Sequence, residues 1–245
     1  EDITLISPHQ APGLYEAFGT EDFDDLYLKY EADKTIPKKT VAAQDLFGDL
    51  LKERAETGRI YIMNLDHCNS HSSFKDKVSM SNLCQEITLP TTPIQDIHDD
   101  QGEIALCILS AVNVGGLNDL GELESICDLA VRALEQIIDY QDYPVKAAEV
   151  STKRRRSLGV GYIGLAHYLA KHGVKYSDPK AWDLVDRLSE AFQYHLLRAS
   201  CNIAMEKGKC EAFDRTKYAD GLLPIDHYKK DVDKIVPHKQ RMAWE

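Results

Sequence analysis

Two neighbouring segments of opposite periodicity constrain the fold of this chain more than any other feature of its sequence. Residues 103–114 form an apolar run with the alternation of an extended segment. Residues 123–140 then repeat apolar side chains at helical spacing over about five turns. These helical positions are Leu123, Ile126, Cys127, Ala130, Leu134, Ile137 and Ile138. An extended segment followed by an amphipathic helix is typical of an α/β protein.

The same alternation continues towards the C-terminus. Residues 158–169, Leu-Gly-Val-Gly-Tyr-Ile-Gly-Leu-Ala-His-Tyr-Leu, predict a turn from a strand into a helix. Residues 182–207 predict a long amphipathic helix that ends at Gly208. Strands and helices in alternation predict an α/β fold, as part of a barrel or of an open sheet.

The N-terminal third of the chain gives three further predictions. Residues 21–58 carry apolar residues at helical spacing and predict two helices, the second ending at Gly58. Residues 59–65, Arg-Ile-Tyr-Ile-Met-Asn-Leu, predict a short buried strand. Residues 79–90 alternate polar and apolar side chains from Asn82 onward, which predicts another extended segment.

The charge and cysteine content argue against several classes of protein. Lys and Arg number 29 against 40 Asp and Glu, so a sequence-independent grip on nucleic-acid phosphates is not expected. The six cysteines lack the spacing of a disulfide framework, which favours the cytoplasm. No apolar run approaches the ~20 residues of a membrane span, so no membrane partner is expected.

Both ends of the sequence predict a fragment of a longer protein. The chain starts at Glu1 without an initiating Met. Residues 242–245 resemble the start of a helix.

Three residues in the third segment carry useful chemistry. Asn82, Cys84 and Glu86 stand two residues apart, so in a strand their side chains face one side, about 6 to 7 Å from neighbour to neighbour. They offer an amide that donates and accepts hydrogen bonds, a thiol, and a carboxylate able to act as a general base. The alternative from spacing alone is an edge strand with a polar face and a structural cysteine.

Other patterns give weaker predictions. His67, Cys68 and His71 would need a fourth ligand from elsewhere to bind zinc, so no metal site is expected. The basic run 153–156 predicts a solvated turn, able to orient a phosphate group.

The glycines at 159, 161 and 164 reproduce a dinucleotide-binding pattern. They keep open a second hypothesis, a non-catalytic nucleotide-binding module. A third hypothesis is a scaffold retained for subunit contacts.

The string around Cys84 resembles a known family. Residues 81–87, Ser-Asn-Leu-Cys-Gln-Glu-Ile, followed by Leu89 and Pro90, are similar to the finger-loop motif of class I ribonucleotide reductase large subunits. Residues 103–107 with 110–113 resemble that family's next barrel strand. Further similar stretches are 57–61, 67–69, 139–144 and 155–161, in the same order. The resemblance covers essentially all 245 residues.

The resemblance implies a fold and residue roles. Residues 1–245 would be part of a ten-stranded α/β barrel, incomplete, with a central finger loop carrying the radical cysteine. Cys84 would be the thiyl radical, shielded and facing Asn82 and Glu86. Glu86 would take the proton of the 3′ hydroxyl, while Asn82 and Ser81 would bind the substrate. Cys107 would supply one of two reducing thiols. The tyrosine pair, the second reducing cysteine and the C-terminal cysteine pair of that family are not found in this sequence.

The resemblance also implies partners. The substrate would be a ribonucleoside diphosphate, and a metal-containing small subunit would supply the radical, with no cofactor in this chain. Thioredoxin or glutaredoxin would re-reduce the enzyme, and the rest of the large subunit would complete the barrel. Large subunits would form a homodimer, with the N-terminal nucleotide-sensing domain and the allosteric sites for ATP and dNTP outside this segment.

Overall fold

A computed structural model describes residues 2–226, and the chain divides into two units between Leu89 and Pro90. In the first unit, strands β1 (Asp2–Ile6) and β2 (Lys38–Ala42) pair antiparallel, with Asp2 opposite Ala42 and Ile6 opposite Lys38. The helices of this unit are α1 (Leu14–Ala17), α2 (Phe23–Ala32), α3 (Ala43–Thr57) and α4 (Leu65–His71). The helix start expected at residues 242–245 lies outside the described residues.

The two helices predicted within residues 21–58 are confirmed as α2 and α3. Gly58 ends α3 in the left-handed conformation, with φ of 65°, and its N–H donates to the carbonyl of Arg54 at 2.9 Å. Glycine adopts this conformation without the steric cost of a Cβ atom. The sequence did not predict β1 and β2, because β2 is largely exposed and lacks an apolar alternation.

The strand predicted over residues 59–65 is wrong. Residues 59–64 are irregular, and α4 begins at Leu65. Tyr61 and Ile62 are 47% and 48% exposed, so this run is not the buried strand that its apolar composition predicted. A strand needs a neighbour that pairs with its backbone N–H and C=O groups, and within residues 2–226 no strand pairs with this segment.

The second unit is built around a parallel strand pair. Strands β3 (Ile108–Asn113) and β4 (Leu158–Ile163) align with Ile108 opposite Leu158 and Asn113 opposite Ile163. The helices are α5 (Leu123–Tyr140), α6 (Lys146–Arg155), α7 (Leu165–Lys171) and α8 (Pro179–Lys207). The chain crosses from β3 to β4 through α5 and α6, which is the βαβ connection that parallel strands require. Among the residues that the structure describes, no helix has the length and apolar composition needed to cross a membrane.

The helices predicted in this half are confirmed. Helix α5 spans the predicted range, and α8 begins at Pro179, three residues before the prediction, and ends at Gly208. The turn predicted from strand to helix is formed by β4, Gly164 and α7. The extended segment predicted from residue 103 is regular strand only from Ile108 onward.

The core of this unit lies between the strand pair and helices α5 and α8. It contains the fully buried side chains of Leu123, Cys127 and Leu188, with Phe192 and Val112 beside them. A buried side chain of this size contributes about 1.5–3 kcal/mol to folding. The predicted α/β class is therefore confirmed. Residues 2–226 contribute two separate strand pairs and no closed barrel.

Candidate active site

The segment that carries Asn82, Cys84 and Glu86 is a tight turn and not an extended strand. The carbonyl of Asn82 accepts the N–H of Gln85 at 3.2 Å, and Oδ1 of Asn82 accepts the N–H of Ile87 at 2.9 Å. Gln85 has a φ of 64°, a left-handed conformation that strands do not contain. The predicted extended conformation, with three side chains on one face, is therefore wrong.

The side chain of Asn82 explains why this segment turns. Asparagine competes with secondary structure by accepting hydrogen bonds from nearby backbone N–H groups. Here Oδ1 of Asn82 accepts the N–H of Ile87, five positions later. This side-chain hydrogen bond replaces the bond that a neighbouring strand would make to the same N–H. The hydroxyl of Ser81 also donates to the Asn82 carbonyl at 2.9 Å. Polar and apolar alternation alone does not reveal such side-chain bonds.

Cys84 lies at the centre of this turn and is exposed. Among the described residues Cys84 is left exposed, because the hydrogen bonds that close the turn are made by Asn82 and not by the central side chains. That Cys84 is shielded in the complete barrel stays a prediction. Leu83 beside it is 80% exposed for the same reason. Asn82 and Glu86 are exposed as well. The turn thus presents a thiol, an amide and a carboxylate on one short, internally hydrogen-bonded segment.

Cys107 belongs to the second unit and lies at the start of an exposed sheet face. It directly precedes β3 and is half-buried. Because side chains alternate along a strand, Cys107 points to the same side as Leu109, which is 59% exposed. We name this side the open sheet face, and define it as Leu109, Ala111 and Asn113 of β3 with Gly159, Gly161 and Ile163 of β4.

Gly159 provides room beside the Cys107 thiol. A Cβ atom at Gly159 would lie 3.4 Å from Sγ of Cys107 and 2.4 Å from Cδ2 of Leu109. No disulfide involves Cys107 or any other of the six cysteines, all of which lie within the described residues. The thiol faces the open sheet face next to a residue without a side chain.

We predict that Gly159→Ala slows the alkylation of Cys107 by iodoacetamide, because the new methyl group covers one side of the thiol. The exposed Leu109 side chain can rotate away, so the strand itself tolerates the change. The rate is measured by peptide mass spectrometry relative to Cys201, which is exposed on α8. Gly161→Ala is the matched control, since a Cβ atom there meets nothing within 4 Å. Equal Cys107 rates in all three proteins would contradict the prediction.

The basic run 153–156 is not the solvated turn that the sequence predicted. Three of its residues end α6, and the Arg155 side chain is 2% exposed. Arg155 donates to the carboxylate of Glu103, which is also 2% exposed, with Nε of Arg155 3.0 Å from Oε2. Arg156 donates to Glu135 and Asp139 on α5, and lowers the pKa of Asp139. These cations are already paired with carboxylates, so they do not present a phosphate site.

Sequence reasoning missed Glu103 as a partner. It is separated from Arg155 by 52 residues, and a Glu at the start of an apolar run gives no local signal of an ion pair. Only the folding of β3 beside β4 brings the two side chains together.

The glycine pattern does not form a dinucleotide-binding turn. Gly159 and Gly161 lie within β4, and only Gly164, with φ of 80°, forms the turn into α7. A Cβ atom at Gly164 would lie 2.4 Å from Oδ1 of Asn113, and the positive φ of Gly164 independently favours glycine. The nucleotide-binding hypothesis gains no support from this geometry.

The histidines of α4 make local contacts. The ring of His67 is 3.8 Å from Asp66, and Nδ1 of His71 contacts the carbonyl of His67 at 3.0 Å. Within residues 2–226, no group of three or more His, Cys, Asp or Glu side chains could hold a metal ion.

Comparison with known proteins gives a consistent result over the whole chain. Residues 1–245 match the family model described as ribonucleotide reductase, barrel domain. The chain is 56% identical to the ribonucleoside-diphosphate reductase subunit alpha of Haemophilus influenzae and 53% identical to the ribonucleoside-diphosphate reductase 1 subunit alpha of Escherichia coli, over all of this chain in both cases. It is 40% identical, over 99% of its length, to the corresponding subunit of Enterobacteria phage T4. The chain spans about a third of each relative, between 32% and 33%.

Proposed function

This chain belongs to the ribonucleotide reductase barrel-domain family, and on that premise we propose that it is the segment of a large subunit that reduces ribonucleoside diphosphates to deoxyribonucleoside diphosphates. The observation that carries the proposal is the turn with Cys84 at its exposed centre and Asn82 and Glu86 on either side of it in the chain. Its relatives are named ribonucleoside-diphosphate reductases. No observation favours the scaffold hypothesis.

Cys84 acts first in this proposal. Its Sγ, as a thiyl radical, takes the hydrogen atom from C3′ of the substrate ribose and becomes a thiol. The Asn82 hydrogen bonds fix the backbone of this short turn and so give the radical a defined position. Transfer of a hydrogen atom requires such positioning, because Sγ and C3′ must be in contact.

Glu86 and Asn82 prepare the substrate. The carboxylate of Glu86 accepts the proton of the 3′ hydroxyl, and the 2′ oxygen leaves as water after taking up a proton. Oδ1 of Asn82 is used to close the turn, so its amide NH₂ group is the part that donates to the substrate hydroxyls. Ser81, half-buried and hydrogen-bonded to the Asn82 carbonyl, completes this binding segment.

Cys107 supplies electrons. Its thiol and a second thiol from outside this chain lose two hydrogen atoms in total and form a disulfide, while C2′ gains a hydrogen in place of the lost hydroxyl. The Cys84 thiol then returns its hydrogen atom to C3′, which regenerates the thiyl radical. The half-buried position of the Cys107 thiol beside Gly159 supports this role.

The remaining partners follow from the same proposal. A metal-containing small subunit supplies the radical, and thioredoxin or glutaredoxin reduces the disulfide after each turnover. Strands from the rest of the large subunit complete a ten-stranded barrel, in which residues 82–87 form the finger loop. Two large subunits associate in the cytoplasm, and ATP and dNTP bind outside this segment.

The test uses the complete large subunit that carries this segment, assembled with its small subunit and supplied with a dithiol. We expect deoxyribonucleoside diphosphate to form, and substrate deuterated at C3′ to react more slowly than unlabelled substrate when the two compete. The absence of any deoxyribonucleotide product, or equal consumption of both substrates, would overturn the proposal.

A further inference from the structure

We propose that Glu103 is a positioning residue for the reductive step, which holds the start of β3, and with it the thiol of Cys107, in place through Arg155. This inference rests on the proposed function, because it assigns Glu103 a role in a reaction of Cys107. It adds a residue that does not contact the reacting atoms.

Glu103 is a buried carboxylate at the centre of an ion-pair cluster. Oε2 of Glu103 accepts a hydrogen bond from Nε of Arg155 at 3.0 Å, and Oε1 accepts one from Nη1 of Arg154 at 3.0 Å. Nη1 of Arg215 lies 4.0 Å from the same oxygen that Arg154 contacts. Removing the charge of Glu103 would take from Arg155, itself 2% exposed, the carboxylate that it contacts, and the loss of a counter-charge is costly for a buried cation.

The backbone of Glu103 is held as firmly as its side chain. Its N–H donates to the carbonyl of Thr92 at 3.0 Å, and its carbonyl accepts the N–H of Thr92 at 3.1 Å. The next residue, Ile104, donates to the carbonyl of Ala147 in α6 at 3.2 Å. Glu103 and Ile104 thus connect their own segment to the segment at Thr92 and to helix α6.

The position of this cluster connects it to Cys107. Cys107 follows Glu103 by four residues, and Gly159 follows Arg155 by four residues. The cluster therefore ties together the two chain segments that lead into β3 and β4. A slip of one residue between paired strands would turn the Cys107 side chain to the opposite face. Fixing both segments at their starts keeps Sγ of Cys107 beside Gly159, on the open sheet face.

The second unit has other ties that do not involve Glu103. Arg156 binds Glu135 and Asp139 and so holds the end of α6 to α5 independently. The core around Leu188 and Cys127 lies between α5, α8 and the strands. We therefore expect loss of the Glu103 charge to loosen the start of β3 without unfolding this unit.

The experiment compares Glu103→Gln with Glu211→Gln in the complete, assembled enzyme. Glu211 is the matched control, because it also pairs with Arg154, at 2.9 Å, but is 71% exposed. Two readouts are taken, the kcat and KM for deoxyribonucleotide formation and the rates of alkylation of individual cysteines. Cys127 reports unfolding, since it is fully buried and burial raises the pKa of its thiol to about 11.

For Glu103→Gln we expect kcat to fall by about 10²-fold with KM unchanged, because a displacement of about 1 Å is enough for such a loss. We expect Cys107 to be alkylated severalfold faster, with Cys127 still protected. Glu211→Gln should match the wild type in both readouts. Wild-type kcat and Cys107 rate in Glu103→Gln would overturn the proposal.

A second variant covers the case in which Glu103→Gln unfolds and Cys127 becomes reactive. Glu103→Leu with Arg155→Leu replaces the buried pair by apolar side chains, an exchange that often preserves stability. With Cys127 protected again, a low kcat supports positioning, whereas a wild-type kcat reduces Glu103 to a stabilising role and overturns the proposal. Product formation by Cys107→Ser at the wild-type rate would instead refute the proposed function. The alkylation rate of Cys107 in Glu103→Gln would then still test whether Glu103 holds this thiol in place.

Discussion

Substitution of Cys84 by Ser is expected to abolish deoxyribonucleotide formation by the complete subunit, with a loss of at least about 10³-fold. The serine O–H bond is stronger than the thiol S–H bond, so the hydroxyl does not become a radical that takes hydrogen from C3′. The fold should not change, because Cys84 is exposed and the hydrogen bonds that close the turn belong to Asn82. The measurement is product formation together with the release of tritium from substrate labelled at C3′.

The tritium release identifies the step that is lost. In the wild type the Cys84 thiol returns the abstracted hydrogen to C3′, so only the small share of tritium that exchanges with water before this return is released, and Cys84→Ser should release none. Cys201→Ser on α8 is the control, since it removes an exposed thiol outside the proposed site. Product formation by Cys84→Ser at the wild-type rate would make Cys84 a structural residue and end the proposed mechanism.

Substitution of Cys107 by Ser is the second change with a large expected effect. A serine hydroxyl does not form a disulfide, so the reduction of C2′ stops and product formation falls by at least about 10³-fold. Abstraction at C3′ depends on Cys84 and should continue. The expected result is therefore tritium release without deoxyribonucleotide, measured in the same assay as above.

The contrast between the two variants separates the two thiols. Cys210→Ser is the matched control, because Cys210 is another half-buried cysteine of the second unit, whose thiol pKa is raised by burial. If Cys107→Ser lost both tritium release and product, its thiol would act before the reductive step, and the assignment of Cys107 as a reductant would be wrong.

The helices of this protein could be predicted well from the sequence. Helix α5 spans the predicted range because its apolar residues recur at 3.6-residue spacing and bury one face against α8 and the strands. Gly58 and Gly208 directly follow the last residues of their helices and have positive φ angles. These helix ends could be predicted because a glycine after an apolar helical pattern is visible in the local sequence. These features depend on neighbours in sequence.

The strands were predicted less well, since each depends on a partner that the local sequence does not show. Residues 59–65 have the composition of a strand, yet in the described part of the chain no strand pairs with them. Residues 79–90 alternate like a strand, but Asn82 accepts the N–H of Ile87 and closes a turn instead. Alternation describes which side chains are polar, and it does not specify where the backbone hydrogen bonds go.

The sequence by itself determined the α/β class, the main helices and the family, and it predicted the residues proposed to carry the chemistry, because each of these is written in local spacing or in a contiguous motif. Only the tertiary structure decided that Asn82 closes a turn around Cys84, that Cys107 lies beside Gly159 on an open sheet face, and that Arg155 pairs with Glu103 in the interior. Two of these contacts join residues about 50 positions apart, with 52 between Glu103 and Arg155. A buried charge is stable only beside its counter-charge, and the pairing of β3 with β4 is what brings the two together.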